Sequence, residues 1–153
     1  MIYRTLKEFK KNIPKDGRLM SIDIGTKRIG VAICDKSRYI ASPRTTIMRK
    51  GNSYDFSRIA EIIQENDIVG VLIGLPINMD ESENFMSRFA RRFIISLDKF
   101  LIDTKMCLYD ERLSSFIAKD DLMMAIKGKK DKKKTIIDQM AASVILQAAL
   151  REL

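Results

Sequence analysis

The chain reads as a single α/β domain built on a mixed sheet of five strands flanked by helices, and three observations predict it. The runs Leu19 to Ile24 and Ile29 to Cys34 are apolar, strand-length and separated by Gly25-Thr26-Lys27-Arg28, which predicts an antiparallel hairpin. Apolar positions Phe56, Ile59, Ala60, Ile62 and Ile63 recur at helical spacing between Tyr54 and Asn66 and lead into the buried-strand run Ile68 to Ile73. A helix followed by such a strand predicts a crossover and parallel pairing with the first strand. Finally, 153 residues that are 46% hydrophobic suffice for one core and are too few for two.

The elements follow in order. Residues 1 to 17 form a basic lead-in, an N-terminal extension to a domain of residues 18 to 153. Its Ile2, Leu6, Phe9 and Ile13 would give a helix one apolar stripe, ended by Pro14 and Gly17. After the hairpin, a third extended segment takes in Tyr39 to Ala41 and, beyond the Ser42-Pro43 break, Thr45 to Met48. Gly74 to Asp80 is a loop by its Gly, Pro and Asn content. A helix then starts near Ser82, with Phe85, Met86, Phe89, Phe93, Ile94 and Leu97 on one face. Lys105 to Tyr109 is a short strand running into Asp110-Glu111-Arg112. Ser114 to Ile126 is read as a helix capped by Ser114 or Ser115. Lys127 to Lys134, with six lysines in eight residues, is a loop before a final helix from about Thr135 to Leu150. Three meandering strands followed by two added through helical crossovers give the mixed sheet.

Composition narrows the chemistry. There are 28 basic and 20 acidic residues, a net charge of +8, which favours a polyanionic partner, nucleic acid before membrane. The chain has no histidine, which excludes Ser-His-Asp and Cys-His nucleophilic catalysis and leaves carboxylates, lysines and bound metal as reactive groups. Cys34 and Cys107 lie in strand-like apolar runs without CxxC spacing and read as buried thiols of a reducing compartment. With neither a signal peptide nor a membrane span in the pattern, a cytoplasmic location is expected.

Against that background the acids stand out. Asp23 lies among Leu19, Met20, Ile22 and Ile24, and burying an unpaired carboxylate there costs several kcal/mol. Two roles suit it: a turn acid bonded to the Gly25 turn, or a ligand of a cation. Asp110 and Glu111 leave the last strand. Asp138 sits at the margin of the final helix's apolar face, where it suits either the helix dipole or an inward-facing role. Phosphodiester chemistry would explain the set together, because a pair of Mg²⁺ or Mn²⁺ ions needs several oxygen ligands and no histidine.

Asp23-Ile24-Gly25-Thr26-Lys27-Arg28-Ile29-Gly30-Val31-Ala32, Ile40-Ala41-Ser42-Pro43, Gly74 to Asp80, Asp110-Glu111-Arg112-Leu113-Ser114 and Ile137 to Ala142 resemble, in order, the signatures of the YqgF/RuvX family. The resemblance implies an RNase H-like fold. It also implies a nuclease, described as a Holliday-junction resolvase and associated with 5′-end maturation of precursor 16S ribosomal RNA. By the same resemblance Asp23, Glu111 and Asp138 take the places of the metal-binding catalytic acids. The preference for Glu111 over Asp110 comes from the family pattern, and Gly74, Asn78 and Asp80 would line the site. Glu81 and Asn84 stand where the family usually has glycine.

Substrate contacts are expected from Lys27 and Arg28 on the turn, Asn78 in the loop, Arg112, and Lys129, Lys130, Lys132, Lys133 and Lys134 just before Asp138. For Arg112 an ion pair with Asp110 is the competing role. Such backbone contacts would be sequence-independent and salt-dependent. The expected partner is structured RNA, such as a ribosomal subunit precursor. A DNA junction is the alternative, as is a nucleic-acid-binding factor without catalysis. A junction resolvase needs a homodimer to cut two strands, whereas an RNA-processing enzyme works as a monomer. An actin-like sugar or acetate kinase shares Asp-x-Gly-Thr, but it duplicates the domain and needs more chain than this.

Overall fold

A computed structural model describes residues 1–113 and 124–153. Its sheet has six strands in the order β1-β6-β5-β2-β3-β4. They are β1 (Ile2–Tyr3), β2 (Arg18–Ile24), β3 (Arg28–Cys34), β4 (Ala41–Met48), β5 (Ile68–Leu75) and β6 (Met106–Asp110). Among the described residues four α-helices accompany it: α1 (Leu6–Asn12), α2 (Asn52–Glu65), α3 (Phe85–Phe100) and α4 (Lys130–Glu152). The predicted hairpin is β2–β3, antiparallel, and β5 pairs parallel with β2 as expected.

Four expectations are corrected. Gly74 and Leu75, expected in a loop, complete β5 and pair with Tyr109 and Asp110 of β6. The sheet has six strands where five were expected, because Ile2–Tyr3 pairs parallel with Met106–Cys107. Two residues are too few to display alternation, and the apolar stripe through Ile2, Leu6, Phe9 and Ile13 predicts a helix there instead. The third extended segment is one strand, Ala41–Met48, running through Pro43, while Tyr39 and Ile40 belong to the turn before it. Pro43 is tolerated because β4 is the sheet's edge, and the β3–β4 register shifts beside it. The lysine run is largely the start of α4 and not a loop, consistent with the helix propensity of lysine. The expected helix Ser114–Ile126 lies outside the described residues except for its last three.

Strand alternation divides the core. Met20, Ile22, Ile24, Val31, Val71 and Ile73 point to α2 and α3, joining Phe56, Ile59, Phe93, Ile94 and Leu97. Leu19, Ala32, Leu72, Cys107 and Tyr109 point the other way, joining Phe9 of α1 and Ala142, Ile145, Leu146 and Ala149 of α4. Each fully buried Ile or Leu contributes roughly 1.5–3 kcal/mol, so both sheet faces are needed to hold the strands. α3 begins on a capping box in which the Asn84 side chain accepts from the Ser87 N–H and Ser87 Oγ from the Asn84 N–H. Cys34 and Cys107 are free and buried, and burial pushes the Cys107 thiol up to about 12. Among the described residues no helix is long and apolar enough to cross a membrane.

Candidate active site

The site forms where β2, β5 and β6 end on the face covered by α4. In β2, Leu19 and Ser21 face α4, and Ser21 Oγ donates to the Ala142 carbonyl at 2.6 Å. Two residues on, alternation brings Asp23 to the same face at the strand's C-terminal end, buried. Asp23 pairs across the hairpin with Gly30. A methyl group on Gly30 would overlap the Asp138 carbonyl oxygen, so α4 lies directly on β3 at this point, with the Asp138 backbone resting on the residue that pairs with Asp23.

On the other flank, Gly74 follows the Ile22–Ile73 pair in β5. A methyl group on it would overlap Glu111 Oε1 and stand 2.8 Å from Ile145 Cδ1. The Glu111 carboxylate therefore lies over Gly74, on the α4 face. Asp110 is held elsewhere: Arg112 donates to it through Nε at 3.0 Å and Nη2 at 2.6 Å. That bond to Arg112, strengthened by charge, holds the Asp110 carboxyl below the usual carboxylate range. Asp23, Glu111 and Asp138 thus come from three elements on the α4 side of the sheet, with Gly74 making room for the Glu111 carboxylate and Gly30 for the α4 backbone at Asp138.

The expected substrate contacts divide into engaged and exposed groups. Arg28 donates from Nε to Asp138 Oδ2 at 2.6 Å, so it is bound to an acid of the site. Arg112 has its ion pair with Asp110 and lies 3.8 Å from Glu81. Asn78 is tied into its own loop, donating to Ser82 Oγ at 2.9 Å and accepting from Asn84 Nδ2 at 3.0 Å. Asp80 accepts from the Ser82 hydroxyl, which lowers its pKa. Lys27 is exposed on the turn, Lys129, Lys130 and Lys132 are exposed at the start of α4, and Lys133 and Lys134 are half-buried there. Glu81, at a usual glycine position, takes φ +67°, while Asn84 takes ordinary extended backbone as the α3 cap.

Two supports of the site escape sequence reasoning. Gly30 is one, although a glycine inside an apolar strand is itself a signal of close backbone approach. The other is Arg49, whose N–H donates to the Lys27 carbonyl and whose Nη1 donates to the Gly25 carbonyl, holding the β2–β3 turn. Its Nε bonds Asp55 at 2.8 Å, and its guanidinium lies 5.1 Å from the Phe89 ring centre. Nothing in the local pattern marks that pair.

An oxygen-only set of carboxylates on one face suits a hard divalent cation such as Mg²⁺ or Mn²⁺. Among the described residues no three acid or thiol groups already stand close enough to hold an ion, and Asp138 is engaged by Arg28. The donor chemistry fits such an ion.

The profile of the RuvX family, described as Holliday junction resolvase, matches residues 17–152. The chain belongs to the RuvX family. Relatives named "Putative pre-16S rRNA nuclease" match it over its whole length. That of Ruegeria pomeroyi is 38% identical across 100% of this chain and 98% of the relative. That of Cereibacter sphaeroides is 39% identical across 100% and 94%. RuvC of Thermus thermophilus in complex with Holliday junction substrate superposes with a TM-score of 0.56 at 12% identity, covering 89% of this chain and 94% of that one. At that identity the likeness concerns the fold, and the RuvX-family chain is RNase H-like.

Proposed function

We propose that this RuvX-family protein is a metal-dependent endonuclease that hydrolyses phosphodiester bonds of structured RNA and matures the 5′ end of precursor 16S rRNA. What supports the reading most is that Asp23, Glu111 and Asp138 all lie on the α4 side of the sheet, with the lysine-rich start of α4 leading into Asp138. These acids would hold Mg²⁺ or Mn²⁺, in a pair of ions. When bound, the metal supplies an activated water and stabilises the leaving oxygen. The chain's own contribution is positional. Gly30 and Gly74 set the spacing of the acids, Arg49 fixes the turn bearing Lys27, and Lys129, Lys130 and Lys132 bind the phosphate backbone without reading sequence. Residues 18–153 form the nuclease domain on this reading, and residues 1–17 a basic extension packed on it.

The name the relatives carry favours RNA, and the family's resolvase name points to DNA junctions as the second substrate. Wild type and Asp23→Asn are compared on precursor 16S rRNA and on a four-way DNA junction, with and without Mn²⁺. The expected result is metal-dependent cleavage of the RNA by wild type alone, with Asp23→Asn still bound to it in a gel-shift assay. Cleavage confined to the junction would reassign the substrate, and full cleavage by Asp23→Asn would remove the proposed site.

A further inference from the structure

The Arg28–Asp138 pair carries an inference about how the site is assembled. It rests on the reading of Asp138 as a metal ligand. Arg28 Nε lies 2.6 Å from Asp138 Oδ2, and the two side chains are 25% and 15% exposed. An oxygen committed to a guanidinium is a poor ligand for a divalent cation, because the two positive charges compete for the same lone pairs and repel each other. The carboxylate must leave Arg28 before it can serve a metal well.

A place for Arg28 to go lies next to it. Arg28, Met48, Asp131, Lys132 and Thr135 line an open cavity of about 270 Å³ between the start of β3, the end of β4 and the first turns of α4. Once Arg28 leaves Asp138, two cations face one acid on its walls, a balance that favours an anion, and a guanidinium binds a phosphate through two parallel bonds. The backbone around the cavity is fixed. Thr46 Oγ1 donates to the Thr135 carbonyl at 2.6 Å, and the Asp138 carbonyl rests on Gly30. Any exchange of partners is therefore a movement of side chains over a rigid frame. A partly exposed pair of this kind contributes only about 1 kcal/mol, within reach of a competing phosphate.

We propose that Arg28 changes partners when substrate binds: bonded to Asp138 in the free protein, it turns to a backbone phosphate seated between itself and Lys132, and so releases the Asp138 carboxylate to the cation. Arg28 is then a positioning residue that makes metal binding conditional on the nucleic acid. Linkage requires the reciprocal effect, so Mn²⁺ must tighten nucleic-acid binding by the same factor.

The test measures Mn²⁺ affinity by the electron paramagnetic resonance signal of the free ion, without cleavage. Wild type, Arg28→Gln, Lys132→Gln and Asp138→Asn are titrated with and without a short uncleavable 2′-O-methyl RNA oligonucleotide, and circular dichroism checks that each variant is folded. In wild type the oligonucleotide raises Mn²⁺ affinity about ten-fold, a coupling of ordinary size. Arg28→Gln binds Mn²⁺ more tightly than wild type without oligonucleotide and gains little from adding it. Lys132→Gln keeps the weak affinity of the free wild type and loses most of the gain. A gain undiminished in Arg28→Gln overturns the proposal, because the oligonucleotide then acts on the metal through its own phosphates and not through Arg28. If Asp138→Asn binds Mn²⁺ as wild type does, the metal-ligand reading falls and this inference with it. If Asp138→Asn loses Mn²⁺ and Arg28→Gln changes nothing, only the exchange of partners falls.

Discussion

Two arginine–aspartate pairs flank the β2–β3 turn, Arg49–Asp55 on the α2–α3 side and Arg28–Asp138 on the α4 side. Their bonds are nearly equal, Nε to Oδ2 at 2.8 Å and 2.6 Å. Their surroundings differ. Asp55 is fully buried and also accepts the Lys50 N–H at 3.1 Å, while Arg49 donates further to Gly25 and Asn52 and lies against Phe89 and Phe93. The Arg28–Asp138 pair is less enclosed, with side chains 25% and 15% exposed, and borders a cavity. Bond length thus says little about what a pair does. Enclosure and the number of other partners separate a fixed strut from an exchangeable contact.

The largest expected effect breaks the strut. Arg49→Met leaves the Asp55 carboxylate buried without its charge partner, which costs about 3–5 kcal/mol in urea unfolding. Arg28→Gln leaves Asp138 near solvent and costs about 1 kcal/mol or less. Equal losses in the two variants would erase the distinction.

Gly30→Ala tests the frame between the pairs. Its new methyl group would meet the backbone of α4, which cannot yield as a flexible side-chain tip can, so α4 must lift. Destabilisation of about 1–3 kcal/mol is expected by calorimetry, with cleavage falling further than stability because Asp138 moves with the helix.

How far these features are legible in the sequence follows from the range of the signal. The β2–β3 hairpin and the β2–β5 pairing are written in contiguous apolar runs and one turn, and both form as read. β1 is invisible because two residues show no period, and its pairing is set by β6, more than a hundred residues away. Asp23 is conspicuous because its neighbours are apolar. The position of Glu111 over Gly74 was not legible locally, since it depends on β6 pairing with β5 and on the chain leaving β6 with Glu111 on the α4 face. Arg49 and Asp55 lie in unremarkable charged surroundings, and only the fold brings Phe89 and Phe93 over them. The two arginines nearest the expected acids, Arg28 and Arg112, both pair with carboxylates instead of waiting for phosphate. Residue type set their attraction to anions, and geometry chose which anion.

Arg112–Asp110 is slightly more open than Arg28–Asp138, with side chains 25% and 21% exposed, and it extends the scale. Bonding to Arg112 lowers the folded-state pKa of Asp110. A depressed carboxylate contributes stability that is fully present above the unfolded pKa, near 3.9, and is lost as pH falls through the folded value. Unfolding free energy measured against pH should therefore fall more steeply below about pH 4 in wild type than in Asp110→Asn, whose side chain does not titrate. Parallel curves would place this pair with contacts that contribute nothing.

The smallest effect lies at the open end of the scale. Glu81 stands 3.8 Å from Arg112, is 82% exposed, and takes φ +67°, a left-handed conformation that costs a residue with a Cβ about 1 kcal/mol. A contact so exposed is worth too little to offset that strain. Glu81→Gly should accordingly stabilise the protein by about 0.5 kcal/mol, the relief being partly cancelled by the greater freedom of glycine in the unfolded chain. Glu81→Ala separates the two contributions, because it removes the carboxylate and keeps the Cβ. Its melting temperature should stay at the wild-type value while that of Glu81→Gly rises. If Glu81→Ala instead falls as far as Asp110→Asn does, exposure is the wrong measure, and the Glu81 carboxylate acts with Asp110 to hold Arg112.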